Sequence, residues 1–182
     1  MKILFFSDVH GDPTSMKLLF ERNEELKADK FVFLGDALYH GPRNTLPAAY
    51  NCMETVEYFN RIHEKILAVR GNCDADVEQM LFQFPMMGDY ALLHTETAQF
   101  FLTHGHIWNE NTLPPVANGT ILAHGHTHIP VCREIEKDGK KITIFNPGSA
   151  TLPKGGFERS FGFYDGKTLS LRLLKDGSVF QA

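Results

Sequence analysis

Cysteine is scarce in this 182-residue chain: Cys52, Cys73 and Cys132 are odd in number and widely scattered. That excludes a disulfide framework and suits a reducing compartment, so a cytoplasmic location is expected. No apolar run approaches the roughly 18 residues of a membrane span, so no membrane association is expected. The opening MKILFFSDVHGD has one Lys and a short apolar run, without the long apolar region or small-residue cleavage site of a secretory signal. An excess of positive charge is also missing. Lys and Arg total 18 against 22 Asp and Glu, a formal charge of -4, which is a poor match for long DNA or RNA held by phosphate neutralisation. No low-complexity segment, linker or internal repeat divides the chain, and neither half carries a core large enough to stand alone. A single domain spanning residues 1–182 is therefore expected.

What is present is rhythm. Lys2 to Phe6 is a solid apolar run, as in a strand buried on both faces, and Pro13 opens a segment with Met16, Leu19, Phe20 and Leu26 at near-helical spacing. The alternation repeats, with Phe31 to Leu34 as a strand, Glu54 to His63 as part of a helix and Ile66 to Val69 as a third strand. This order indicates a parallel, doubly wound half. After about residue 88 the pattern turns to short strands at Tyr90–Leu93, Phe100–Thr103, Ile121–Ala123, Val131–Ile135 and Ile142–Phe145. The Asp-Gly pairs at 138–139, 165–166 and 176–177 mark hairpin turns. The chain is therefore expected to be an α/β protein of two stacked sheets with helices outside.

Polar residues collect where these strands end. Asp8 and His10 follow the first strand, Gly35-Asp36 the second and Gly71-Asn72-Cys73-Asp74 the third; His104-Gly105-His106 and AHGHTHIP (123–130) follow two later ones. Each cluster has a plain alternative as an Asx turn, helix cap or polar loop. Taken together, five clusters at strand ends predict one crevice, because ligands of open α/β sheets gather there. Mixed carboxylates and imidazoles suit Mn, Fe, Zn or Ni, whereas pure oxygen cages would suit Ca or Mg. Gly125 and Pro130 argue against one continuous strand carrying His124, His126 and His128 on a single face.

The patterns DVH (8–10), GD (35–36), GNCD (71–74), THGH (103–106) and GHTH (125–128) resemble those of the calcineurin-like metallophosphoesterases. With HGPRN (40–44), FNPGS (145–149) and the short chain, they look like the compact YfcE-type branch of bacterial phosphodiesterases. The resemblance implies a four-layer α/β/β/α sandwich of two mixed β-sheets flanked by helices. It also implies a dinuclear centre, with Asp8, His10, Asp36 and His128 on one metal and Asp36, Asn72, His104 and His126 on the second. Two divalent transition metal ions are expected, Mn first, with Ni, Fe or Zn as alternatives. The implied reaction is hydrolysis of a phosphate ester by hydroxide bridging the two ions, with no covalent enzyme intermediate. His124 falls outside the motif and is expected to be structural; His106 is expected to orient a ligand or a substrate phosphate.

Two positions depart from the wider superfamily. Cys73 stands where a His is thought to protonate the leaving group, and it reads equally as a small buried apolar residue. His40 stands where the protein phosphatases place a phosphate-binding Arg. A solvated loop is its plain reading; His40 as phosphate ligand or general acid, with Arg43 sharing phosphate binding, is the functional one. Weak acid catalysis favours a small phosphodiester over a monoester. The alternatives are a phosphomonoesterase or phosphoprotein phosphatase of the same fold, and a non-catalytic protein-binding scaffold. Self-association into a homo-oligomer is a further possibility. Trp108 and the phenylalanines are expected in the core or at an oligomer surface, residues 107–115 as a loop, Asn146-Pro147-Gly148 as a structural turn, and Lys154-Gly155-Gly156 as too short for a phosphate loop.

Overall fold

The computed structural model describes all residues, 1–182. The chain alternates β1 (Ile3–Phe6), α1 (Pro13–Leu26), β2 (Lys30–Phe33), α2 (Cys52–Asn60) and β3 (Ile66–Ala68), followed by the short α3 (Asp76–Gln79). Eight strands complete it: β4 (Tyr90–His94), β5 (Gln99–Thr103), β6 (Ile121–Ala123), β7 (Val131–Lys137), β8 (Lys140–Asn146), β9 (Ser160–Tyr164), β10 (Leu169–Leu173) and β11 (Val179–Phe180). They form a six-stranded sheet, β11-β10-β9-β1-β2-β3, and a five-stranded sheet, β4-β5-β6-β8-β7. Both are mixed, since β1 to β3 and β5-β6-β8 run parallel while the hairpin strands are antiparallel.

Local chemistry explains the boundaries. Asp12 caps α1 by accepting from the Thr14 N–H at 2.8 Å, and Pro13 takes the first helical position, where its missing N–H costs nothing. Asn51 caps α2 through the Glu54 N–H, which starts that helix before Glu54; it ends at Asn60, short of His63. Between β7 and β8, Asp138 and Gly139 both adopt positive φ, 53° and 70°, matching the primed turn that joins twisted strands.

Period-two alternation distributes the core. Leu4 and Phe6 face α1 and α2, where Phe6, Phe33 and Phe59 pack within 5.7 Å between ring centroids. Ile3 and Phe5 face the other sheet, and Phe5 lies 5.4 Å from both Phe100 and Phe145. The two-sheet sandwich stands as expected, except that its fourth layer contains no helix. The outer face of the five-stranded sheet, including Phe101, Leu122 and Ile144, is covered by the irregular segment carrying Trp108, Leu113 and Val116. Pro114 and Pro115 within that segment disfavour a helix. Trp108 sits edge-on to Tyr90 and Phe101, as core cover.

Candidate metal centre

The parallel strands of both sheets deliver their C-terminal loops to one edge. Asp8 and His10 leave β1, Asp36 leaves β2, His104 leaves β5, and His126 and His128 leave β6. Of the seven non-glycine residues with positive φ, five are Asp8, His10, Asp36, His126 and His128. Such conformations cost of order 1 kcal/mol or more each, so their concentration here marks a site held against local preference.

Three imidazoles are fixed in the same tautomer. The Nδ1–H groups of His10, His104 and His128 donate to the carbonyls of Tyr39, Leu34 and Leu152 at 2.7, 2.6 and 2.5 Å. Each Nε2 is thereby turned inward, where it can ligate a cation once it carries no proton. His10 Nε2 and His128 Nε2 lie 3.3 Å apart, and His128 Nε2 is 3.3 Å from Asp8 Oδ1, a buried oxygen with no hydrogen-bond partner. Two imidazole nitrogens and a carboxylate oxygen converging at these separations make a site suited to a cation. Asp36 stands beside them, its Oδ2 3.8 Å from His10 Nε2 and its Oδ1 3.4 Å from His104 Nε2. Asn72 Oδ1 is 3.1 Å from the same His104 nitrogen, and the His126 ring centroid is 5.1 Å from that of His104. The donor set of imidazole, carboxylate and amide oxygen fits divalent transition metals.

The electrostatics are those of a charge-compensated cluster. Burial opposes a charge on His104, yet its hydrogen bond to Asp36 and the fields of Asp8 and Asp36 outweigh it and hold the imidazolium up to about 9. Burial likewise raises Asp8 and Asp36, but His128 and His104 together keep Asp8 well below the usual carboxylate range, and His104 keeps Asp36 lowered. Burial and then His104 push His126 down to about 4. Burial, with Asp36 next, pushes the Cys73 thiol up to about 12.

Two glycines are required by contact. A Cβ on Gly71 would lie 2.0 Å from Asp36 Oδ1, and one on Gly125 would lie 1.9 Å from Ser7 Oγ. Residues outside the expected ligand set supply the frame. Buried Asp74 accepts from the backbone N–H groups of Asp36, Ala37 and Gly71 at 2.9, 2.7 and 2.6 Å, tying the second and third motifs together. Asn146 donates to Gly125 O and Thr127 Oγ1, and Ser149 donates to Asp8 O.

The departures sit differently from one another. Cys73 Sγ lies within 4.8 Å of ligand atoms of both His10 and Asp36, so a fourth donor type faces the centre. The His40 ring packs against Tyr39 and Tyr50, at 5.0 and 5.8 Å between centroids, and does not line the cleft. Arg43 and Asn44 do, together with Lys154, which the sequence reading had set aside. His106 stands 5.4 Å from His104 by ring centroids, with a buried Nδ1 that has no partner. Buried His124 is anchored by Nδ1 beside Gly125 O.

Residues 1–168 match the family model of the calcineurin-like phosphoesterase superfamily domain. The chain belongs to the calcineurin-like phosphoesterase superfamily. Within that superfamily it is 41% identical over 179 residues to phosphodiesterase YfcE of Escherichia coli strain K12, covering 98% of this chain and 95% of YfcE. The solved structure of that E. coli phosphoesterase superposes with a TM-score of 0.92 at 42% identity, covering 99% and 97% of the two chains. Vps29 of Entamoeba histolytica, solved with zinc, shares the fold alone, with a TM-score of 0.56 at 20% identity over 99% and 96% of the chains. Phosphoesterases of this superfamily use divalent metal ions, for which the cluster above provides ligands.

Proposed function

We propose that this chain is a metal-dependent phosphodiesterase that hydrolyses a small phosphodiester. The observation that carries the reading is the set of inward-facing Nε2 atoms around the buried Asp8 Oδ1, in a chain 41% identical to a phosphodiesterase. Asp8, His10, Asp36 and His128 would hold one ion, and Asp36, Asn72, His104 and His126 the other, with Mn first and Ni, Fe or Zn as alternatives. When bound, two such ions supply an activated water as nucleophile and neutralise charge on the phosphate oxygens.

The remaining chemistry belongs to the chain. The carbonyls of Tyr39, Leu34 and Leu152 hold three ligand rings in the required tautomer, so their orientation is fixed before substrate arrives. Asn72 contributes an amide oxygen without a further negative charge, which keeps the cleft receptive to an anion. Arg43 and Lys154 line the same cleft and orient the phosphate, with Arg43 capable of a forked contact. The placement of the His40 ring against two tyrosines favours Arg43 over His40 for that task. With Cys73 where the superfamily has a His, leaving-group protonation is weak. That favours diesters, which carry less charge than monoesters and depart with less proton assistance.

The three unpaired cysteines support a reducing, cytoplasmic setting. No helix is long and apolar enough to cross a membrane. Tyr90 and Leu92, exposed on the edge strand β4, support self-association. The scaffold alternative is disfavoured because all seven ligand positions carry donor residues.

The test is hydrolysis of a chromogenic diester and its matching monoester by metal-stripped protein, with Mn, Ni, Zn, Mg or Fe(II) restored singly. Metal-dependent turnover favouring the diester is expected. A monoester preference would move the reading to a phosphatase, and no turnover despite bound metal would move it to a scaffold.

A further inference from the structure

The cleft has a neighbour that the activity alone does not explain. Residues 41–44 and Lys154 line the cleft; nearby residues of the same two segments, 45–49 after the first and Thr151 and Leu152 before Lys154, line a second cavity of about 340 Å³. Leu152 joins the two, because its carbonyl also accepts the His128 Nδ1–H. The cavity lies at the small end of the range for ligand sites, whereas the cleft itself, about 50 Å³, has little room beyond the phosphate.

The lining is two-natured. Leu46, Pro47 and Ala48 give an apolar wall, and Arg159 supplies a cation. The side chain of Arg159 is 38% exposed, and its nearest carboxylate oxygen, Asp12 Oδ2, is 3.7 Å away, beyond hydrogen-bond reach. Asp12 is itself engaged at the start of α1, accepting from the Thr14 N–H, the Thr14 hydroxyl and the Ser15 hydroxyl at 2.8, 2.6 and 3.0 Å. Asp12 also lines the cavity and forms a long ion pair with the guanidinium, which makes no side-chain hydrogen bond and so keeps donors for a second anion. With Arg43 and Lys154 it makes three cations along cleft and cavity, against the two carboxylates Asp36 and Asp12 in the same walls, on a chain whose formal charge is -4.

We propose that this cavity receives one ester arm of the phosphodiester, and that the arm carries an anionic group, a carboxylate or a second phosphate, bound by Arg159. The proposal rests on the phosphodiesterase reading and names its substrate class: a small diester bearing an extra negative charge on the arm that is not the leaving group. Arg159 acts as a specificity residue remote from the reacting atoms.

The test uses Mn-loaded protein and 4-nitrophenyl diesters that share the leaving group and differ in the other arm, ethyl against 2-carboxyethyl or 2-phosphoethyl. A kcat/KM advantage of about tenfold or more for a charged arm is expected, residing in KM, as for one charge-assisted hydrogen-bond pair. Arg159→Gln should collapse the ratio between charged and neutral arms, and Arg159→Lys should restore part of it. Equal kcat/KM for all arms, or an unchanged ratio in Arg159→Gln, would overturn the proposal while leaving the phosphodiesterase reading intact. Absence of turnover with every one of these diesters would instead sink that reading. A second readout needs no turnover: calorimetry of glycerol 3-phosphate against metal-stripped protein, where saturable binding lost in Arg159→Gln supports the cavity. No binding by the wild type up to about 10 mM would count against it.

Discussion

Metal binding to this centre should be strongly coupled to pH through His104. In the metal-free protein the Asp36 and Asp8 carboxylates hold the His104 imidazolium up to about 9, against an ordinary 6.5. A divalent ion needs the Nε2 lone pair that this proton occupies, so it must displace the proton. At about pH 7 the competition weakens affinity by two powers of ten, about 100-fold, and the penalty fades as pH rises through about 9. The same group sets the stability of the metal-free form. Its folded value lies above the unfolded one, so the contribution is fully present below about pH 6.5 and is lost as pH rises through about 9. The rise from 6.5 to about 9 corresponds to about 3 kcal/mol. Calorimetric Mn titrations in buffers of different ionisation enthalpy count the protons released, and the difference between wild type and His104→Gln isolates this one. Denaturant melts of metal-stripped protein should weaken between about pH 7 and 9.5. Affinity flat across that range, with no difference in proton release between the two proteins, would refute the reasoning.

Other outcomes follow from single contacts. Gly71→Ala would press a methyl into Asp36 Oδ1 and should abolish metal uptake and lower turnover by about 100-fold or more, with secondary structure retained by circular dichroism. Asp74→Ala leaves three backbone N–H groups without their acceptor and should cost about 2 to 4 kcal/mol in urea unfolding. Cys73, with its thiol pushed up to about 12 from 9.0, should carry about 1,000-fold less thiolate than an unperturbed cysteine, so mass spectrometry after iodoacetamide at about pH 8 should find it unmodified in metal-free protein. Arg43→Ala should raise KM for a diester more than His40→Ala does, because the arginine lines the cleft and the His40 ring faces Tyr39 and Tyr50.

The legible parts of the fold were those written in local periodicity and turn chemistry. Lys2 to Phe6 announced a strand buried on both faces, and β1 places Leu4 and Phe6 on one side and Ile3 and Phe5 on the other. Asp138-Gly139 joins β7 to β8, while Asp165-Gly166 and Asp176-Gly177 lie between β9, β10 and β11. The start of α2 was hidden because its cap, Asn51, precedes the periodic apolar residues. The layer over the five-stranded sheet was also hidden, because an irregular segment has no period to read. At the site, motif spacing pointed to Asp8, His10, Asp36, Asn72, His104, His126 and His128, which the fold gathers from five loops. Asp74 was visible only as the last residue of GNCD, and its hold on three backbone N–H groups, like the roles of Lys154 and Arg159, was opaque for a different reason. Their positions follow from backbone contacts and neighbouring segments far apart in sequence, and nothing local distinguishes them from a turn residue or a surface cation.

The most direct test of the dinuclear phosphodiesterase account is a titration of metal-stripped protein with Mn, following hydrolysis of a chromogenic phosphodiester in the wild type and in Asp36→Asn. The account predicts that turnover requires two equivalents of metal per chain and is lost in the variant, whose carboxamide cannot bridge two ions as a carboxylate does. Full turnover at one equivalent, or wild-type-like turnover in Asp36→Asn, would contradict it.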